Sequence, residues 1–384
     1  MRVYLDNAAT TCIDPEVLQE MLPYLEKYYG NPSSTHGHGR EVKAAIEKSR
    51  KKVASLLNAH PSEIIFTSGG TESDNTVLRS CITSKEVKHI VTSKLEHHAV
   101  LHTVEELESK GLVKVTYLDF DEKGQIDLEQ LESVLANNKN ILVSLMHGNN
   151  EIGNILDIHK VSELCKEHDA LFHSDTVQTI GHFNVDLSEL EIDFLAASAH
   201  KFHGPKGVGF LYVNKNSKIR PMLTGGGQER EMRGGTENVY GIIGLAKALE
   251  LSLANLDNHR SHIEKLKNRM IQLLQEKIEG VSFNGNSSDV ENSLYTVLNV
   301  CLPASPANSM LLFSLDLAGI SVSGGSACSS GAQAGSHVIA ALKKGDMGGR
   351  GTVRFSFSKF NTLEDIDYSC NKLEEILAGA SVNS

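Results

Sequence analysis

Ile192-Asp193-Phe194-Leu195-Ala196-Ala197-Ser198-Ala199-His200-Lys201-Phe202-His203-Gly204-Pro205-Lys206-Gly207-Val208 is the stretch whose reading decides the fold. A short apolar run, Ile192 to Ala197, ends in a polar turn, and a second run, Val208 to Val213, follows it. Runs of this length are too short for helices and read as buried strands. A lysine at the end of such a strand, flanked by a hydroxyl and two imidazoles, is placed where it can be desolvated. Desolvation is how an ammonium group becomes a nucleophile or Schiff-base former. Lys201 is therefore the candidate reactive residue. A lysine that simply faces water after a strand is the commoner case, and the rest of the chain decides between the two.

Outward from this stretch the same pattern repeats. Apolar runs at Ile64 to Thr67, His89 to Thr92, Val113 to Leu118, Ile141 to Met146 and Ala170 to His173 alternate with helical patterns. Those patterns lie near Glu72 to Cys81, Ala99 to Lys110, Leu128 to Leu135 and His159 to His168. Before them, Asp14-Pro15 caps an amphipathic helix over Glu16 to Tyr29, and a second runs from about Arg40 to Leu57. Strands alternating with helices predict an α/β fold, with a mainly parallel central sheet covered by helices on both faces. Ligands of such sheets bind at the carboxyl ends of the strands. The chemically able residues sit there: Ser68-Gly69-Gly70-Thr71, Glu96-His97-His98, His147-Gly148-Asn149-Asn150, Asp175 and Ser198 to Lys201 each follow a run closely.

A long helical region from Glu237 to Ile278, with a break expected near Asp257-Asn258, leads into mixed strands (Tyr295 to Val300, Thr352 to Ser356) and helices (Ser309 to Ala318, Leu363 to Ala378). The expected organisation is a large domain over residues 15–254 and a smaller α+β domain made of 1–14 and 255–384.

Composition bounds the function. A chain of 384 residues with 40% hydrophobic and 22% charged residues reads as globular. A net charge of -11 argues against a broad nucleic-acid face, which needs clustered Lys and Arg. Met1-Arg2-Val3-Tyr4-Leu5-Asp6-Asn7 has no basic-then-apolar leader pattern and no apolar run reaches spanning length, so a cytoplasmic protein with no membrane association is expected. The six cysteines, Cys12, Cys81, Cys165, Cys301, Cys328 and Cys370, show no paired CxxC spacing, which argues against a disulfide framework or a cysteine zinc site. The histidines His36, His38, His97, His98, His200 and His203 have no matching carboxylate or cysteine set, so no metal is expected, and His38, His98 and His203 read as ordinary polar residues.

Two further features bear on chemistry. Phe66-Thr67-Ser68-Gly69-Gly70-Thr71 is a strand, a glycine turn and a helix start, whose backbone N–H groups and Thr71 hydroxyl suit a phosphate. It lacks a Walker lysine and does not match GxGxxG, so a non-nucleotide phosphate fits better. Asp175 is a carboxylate at a buried strand end, costly without a partner. A protonated pyridine nitrogen is one such partner, with Gln178 within reach of a neighbouring ring oxygen; a helix N-cap is the other reading of Asp175. A reactive lysine, a strand-end Asp, a histidine able to stack and a phosphate cradle together make the parts of a pyridoxal 5′-phosphate (PLP) site.

At this point the chain resembles the cysteine desulfurases, nitrogen-fixation and iron–sulfur-cluster type relatives among the class V, fold-type I PLP enzymes. The resemblance runs nearly end to end, through Tyr4-Leu5-Asp6-Asn7-Ala8-Ala9-Thr10-Thr11, Gly30-Asn31-Pro32-Ser33-Ser34, Glu96-His97-His98-Ala99-Val100, Asn149-Asn150-Glu151-Ile152-Gly153 and the lysine stretch. It continues through Arg233-Gly234-Gly235-Thr236, Gly324-Gly325-Ser326-Ala327-Cys328-Ser329 and Val353-Arg354-Phe355-Ser356. What it implies is that Lys201 is the Schiff-base lysine, that His97 stacks on the PLP ring, that Asp175 pairs with the pyridine nitrogen and that Gln178 binds the phenolic oxygen. Gly70, Thr71, Ser198 and His200 would hold the phosphate, with Thr236 reaching it from the neighbouring subunit of a homodimer. Asn31, Asn150 and Arg354 would hold the substrate, L-cysteine, and Cys328 would take its sulfur. Alanine would be the other product, and the persulfide sulfur would pass to an acceptor or scaffold protein for iron–sulfur cluster or other sulfur-cofactor assembly. Cys328 has Gly, Ser and Ala neighbours rather than apolar bulk, which suits an exposed reactive thiol. A class V aminotransferase, which needs no cysteine, and a selenocysteine lyase are the rival activities; a non-enzymatic sulfur carrier is the rival outside catalysis.

Overall fold

Successive side chains of a strand point to opposite faces of its sheet, and in the central sheet both faces are covered. The structure, a computed structural model, describes residues 1–324, 335–343 and 347–381. The chain runs β1 (Val3–Tyr4), α1 (Pro15–Glu26), α2 (Gly37–Leu56), β2 (Ile64–Thr67), α3 (Gly70–Ser84), β3 (His89–Ser93), α4 (His98–Ser109), β4 (Lys114–Leu118) and α5 (Leu128–Asn137). It goes on with β5 (Ile141–Ser144), α6 (Ile158–Glu167), β6 (Leu171–Asp175), β7 (Phe194–Ser198), β8 (Gly209–Val213), α7 (Val239–Ala254) and α8 (Leu256–Lys277). The rest contains β9 (Ser282–Phe283), β10 (Val297–Leu302), α9 (Leu311–Leu317), β11 (Ile320–Ser321), α10 (His337–Leu342), β12 (Gly351–Ser356) and α11 (Leu363–Ser381).

The central sheet has seven strands in the order β2-β8-β7-β6-β5-β3-β4, and only β8 runs against its neighbours. Ile64 and Phe66 of β2 join one buried cluster, with residues of α1, α2, α5, α6 and α7, while Ile65 joins another, with residues of α3 and α4. This two-sided burial is why the strands read as continuous apolar runs rather than alternating ones. A third cluster gathers Val3 and Leu5 with residues of α8, α9, α11, β10 and β12, around an antiparallel sheet of order β12-β10-β9. β1 pairs with β11 beside it.

The helical region from Glu237 breaks at Asn255, earlier than the expected Asp257-Asn258, and the two helices bend by 75° there. Asn255 ends α7 because its side-chain amide donates to the Leu251 carbonyl, 3.1 Å away, satisfying an acceptor that a helix end leaves open. The strand expected over Tyr295 to Val300 is Val297–Leu302; Tyr295 instead lends its hydroxyl to the His182 carbonyl. Among the described residues no single helix is long and apolar enough to cross a membrane.

One buried ion pair ties the sheet edge to the helices over it. Arg50 of α2 donates from Nη1 and Nη2 to the two carboxylate oxygens of Glu229, each at 2.8 Å, and the Phe66 amide of β2 donates to the same carboxylate. Glu229, Arg230 and Glu231 all sit in the left-handed region, with φ of 44°, 57° and 67°, so this turn is strained and held by the contacts its side chains make. Removing one partner of such a pair leaves the other charge buried and unpaired. Glu229→Ala is expected to cost about 3–5 kcal/mol in urea unfolding; a loss below about 1 kcal/mol, the range of surface pairs, would contradict the buried clamp.

Candidate active site

The carboxyl ends of β2, β3, β5, β6 and β7 deliver their turns to one cavity of about 210 Å³. Gly70, Thr71, His97, Asn150, Asp175, Gln178, Ser198, His200, Lys201 and Arg354 all line it. A sheet whose strands run mostly one way puts all these turns at one end, and that is how residues from distant parts of the chain meet.

Lys201 ends the turn after β7, and its Nζ donates to the carbonyls of Ala8 at 2.6 Å and Ala9 at 3.0 Å. Gln178 Nε2 donates to the same Ala8 carbonyl at 3.0 Å. The turn is bound to residues 10 and 11 as well: His200 Nδ1 lies 3.1 Å from Thr10 Oγ1, and the Thr11 amide donates to the His200 carbonyl. Burial, with Lys201 and Lys206 nearby, lowers His200 to about 4, so its ring is neutral near pH 7.

Asp175 closes β6 on the cavity floor. Its Oδ1 accepts from the Val177 amide at 2.9 Å, a local turn and not a helix cap. Burial raises it to about 6, partly offset by that hydrogen bond and by Lys201. His97 caps α4, its Nδ1 accepting from the Ala99 amide at 3.1 Å, which leaves the proton on Nε2. Burial first, then Lys201, lowers His97 to about 4, so it too presents a neutral ring.

Helix α3 starts at Gly70, and a Cβ there would lie 2.5 Å from Val177 Cγ2, so glycine is what lets the helix N-terminus come up to the floor. Arg354 of β12 is 1% exposed and enters from the side of the smaller sheet. It donates to the Asn150 carbonyl and to Asp6 Oδ1, each at 2.9 Å, while its buried Nε has no partner among the described residues. Part of its donor fork is thus still available for a carboxylate.

Other expected residues lie elsewhere. Asn31 is exposed and its Oδ1 accepts from the Ser33 amide, outside this lining. Thr236 lines a separate pocket of about 140 Å³ with Ser68, Gly207 and Arg233. Cys328 falls outside the described residues.

The cavity also takes in residues that sequence reasoning passed over: Ala8, Ala9, Asp74, His98, Met146, Glu151 and His337. His98, read as an ordinary polar residue, has its Nε2 2.9 Å from Nδ1 of His337, whose Nε2 bonds the Glu96 carbonyl. Ser336 donates to the Glu151 carboxylate. Asp74 could have been found from spacing, since it lies four residues, one helical turn, beyond Gly70. Among the described residues no group of three His, Cys, Asp or Glu is placed to hold a metal ion.

The donor set fits PLP. A helix N-terminus with Ser198 and His200 suits a phosphate, an acid on the floor suits a pyridinium nitrogen, a neutral imidazole suits the ring face, and a lysine stands ready for the aldehyde.

A profile of the aminotransferase class-V family matches residues 3–368. Cysteine desulfurase IscS of Dictyoglomus turgidum is 45% identical over 377 residues, covering 98% of this chain and 94% of that one. A solved NifS-like protein superimposes with a TM-score of 0.90 at 41% identity, covering 99% of this chain and 100% of that one. The structure described as SspA in complex with cysteine matches with a TM-score of 0.80 at 32% identity, covering 94% and 100%.

The raised Asp175 has a consequence for stability. An acid raised by burial favours the folded state while protonated, so its contribution is full below the ordinary carboxylate range and is lost as pH rises through about 6. Asp175→Asn never carries the charge. It is expected to make the cofactor-free protein about 1–3 kcal/mol more stable than the parent above pH 6. The gain should vanish near pH 4, the ordinary carboxylate range, as followed by denaturant unfolding across pH; a gain independent of pH would contradict the assignment.

Proposed function

The chain belongs to the cysteine desulfurases of the class-V aminotransferase family, and we propose that it removes sulfur from L-cysteine with PLP, giving L-alanine and a persulfide on Cys328. The observation that carries this reading is the meeting of Lys201, Asp175, His97 and the α3 N-terminus in one cavity with Arg354.

Bound there, PLP supplies a sink for the electron pair left when the substrate Cα–H bond breaks. Lys201 would anchor the cofactor, and its Nζ would take the substrate Cα proton. Asp175 as a carboxylate would pair with the ring nitrogen, Gln178 would bind the phenolic oxygen, and the neutral His97 ring would stack on the cofactor. Gly70, Thr71, Ser198 and His200 would hold the phosphate, and Thr236 of a neighbouring subunit would complete the grip. Arg354, with Asn150, would hold the substrate and pair with its carboxylate; the Nε of Arg354, unpartnered among the described residues, supports that role. The Cys328 thiolate forms an S–S bond with the substrate sulfur as the Cβ–S bond breaks, and the pair left on carbon is taken up by a proton. Splitting the cleavage through a covalent sulfur on the protein divides one difficult step into two easier ones.

The same proposal includes a homodimer, a cytoplasmic location and delivery of the sulfur to an acceptor or scaffold protein for iron–sulfur cluster assembly. The name IscS of the relative supports the last of these, and the free thiols of Cys12, Cys81, Cys165, Cys301 and Cys370 suit a reducing compartment. Separate apolar clusters support residues 15–254 as the large domain and 1–14 with 255–384 as the smaller one.

Purified protein given L-cysteine and a thiol reductant, with no 2-oxo acid, should release sulfide and alanine in equal amounts. Cys328→Ala should lower sulfide release to the level of the blank while the bound cofactor's visible absorption stays. Sulfide release by that variant at the parent rate would rule out Cys328 as the sulfur acceptor, and a requirement for a 2-oxo acid would point to transamination instead.

A further inference from the structure

Beneath the cavity lies a buried group that the proposed chemistry does not use. Asp74 of α3 lines the same cavity as Asp175 and is 1% exposed. Its Oδ1 lies 3.4 Å from Nε2 of His173, fully buried on β6, and among the described residues neither atom has a hydrogen-bond partner, so a proton placed between them would satisfy both. On its far side the His173 ring is fixed: Nδ1 lies 2.9 Å from Oγ of Ser144 on the neighbouring strand β5. Glu96, 2% exposed, is the third acid of this region; its Oε1 accepts from the Met146 amide and its Oε2 has no partner among the described residues.

Three carboxyl groups in so dry a space cannot all be anions, because each ionisation raises the cost of the next. Their surroundings separate them. Asp175 has the Val177 amide and the Lys201 ammonium to stabilise a negative charge. The charged groups acting on Asp74 are the carboxyls of Asp175 and Glu96, both of which oppose its ionisation. His173 cannot compensate as a cation, since burial lowers it to about 3. A neutral imidazole carrying its proton on Nδ1, toward Ser144, offers Nε2 as an acceptor, and a protonated Asp74 is the donor that matches it.

We infer that Asp74 is the protonated member of the buried Asp74–Asp175 pair, hydrogen-bonded to His173, and that it thereby keeps Asp175 the anion available to the cofactor ring. This rests on the PLP reading only for the last step; the location of the proton belongs to the protein itself. Asp74 and His173 are positioning residues here. They act through Asp175 by withholding a second negative charge from beneath the ring.

Infrared spectra of the cofactor-loaded protein at neutral pH, in H2O and D2O, read this proton directly as a carboxylic-acid C=O band that shifts on deuteration. Asp74→Asn should remove one such band, and Asp175→Asn should remove none. His173→Phe, which takes away the acceptor, should move the Asp74 band to higher frequency, so the assignment stays testable if one variant fails to fold. Loss of a band in Asp175→Asn would put the proton on Asp175 and overturn the inference. So would an Asp74→Asn spectrum that keeps every band, or a His173→Phe spectrum with the band unmoved. The same bands are present in cofactor-free protein, so failure to bind PLP would overturn the proposed function and leave the proton assignment standing.

Discussion

The hydrogen bonds from Lys201 Nζ to the carbonyls of Ala8 and Ala9 are the contact on which the rest of the site depends. They fix the Lys201 amine from the side of the N-terminal segment, and that segment is itself held from two directions. Toward the small sheet, Ser356 donates its backbone amide to the Leu5 carbonyl, its Oγ accepts from the Ala8 amide, and Asp6 pairs with Arg354. Toward the lysine turn, Thr10 and Thr11 bond His200. Residues 5–11 therefore form a seam between the sheet that carries the lysine and the sheet that carries the arginine. A shift in the seam would move the lysine and the arginine relative to each other, and positional errors of that kind are costly for catalysis.

The second constraint is dryness. Burial drives the groups around the cavity toward neutrality: His97 and His200 fall to about 4, and Asp175 rises to about 6. The charges that survive near pH 7 are few and specific, and in a low-dielectric site each acts more strongly than it would in water. The same force silences thiols that have no role. Burial pushes Cys81, Cys165 and Cys370 up, away from the thiolate form that reactivity needs.

Much of this was legible in the chain because strands buried on both faces leave an unbroken apolar trace. Each of the seven runs is a strand of the central sheet, and the turn after Ile192 to Ala197 carries the lysine as read. The two-residue strands β1, β9 and β11 leave no such trace, being too short for any periodicity. The break at Asn255 was misplaced because a single side chain bonding back to Leu251 sets it, not a loss of helical pattern. Within the site, side chains with chemistry were readable and backbone was not: alanines announce nothing about carbonyls that hold a lysine. His98 and His337 escaped because they are 239 residues apart and meet only in the fold. Asn31 and Thr236 lie outside the cavity, because the fold places Asn31 in an exposed turn and Thr236 in a separate pocket.

The central claim is that Lys201, and no other lysine, holds the cofactor at the end of β7. Borohydride reduction of the cofactor-loaded protein, followed by proteolysis and peptide mass spectrometry, tests it most directly. The account predicts the reduced cofactor on the peptide that contains Lys201 and on no other. Finding it on a peptide from a different lysine, or recovering the cofactor entirely free after reduction, would contradict it.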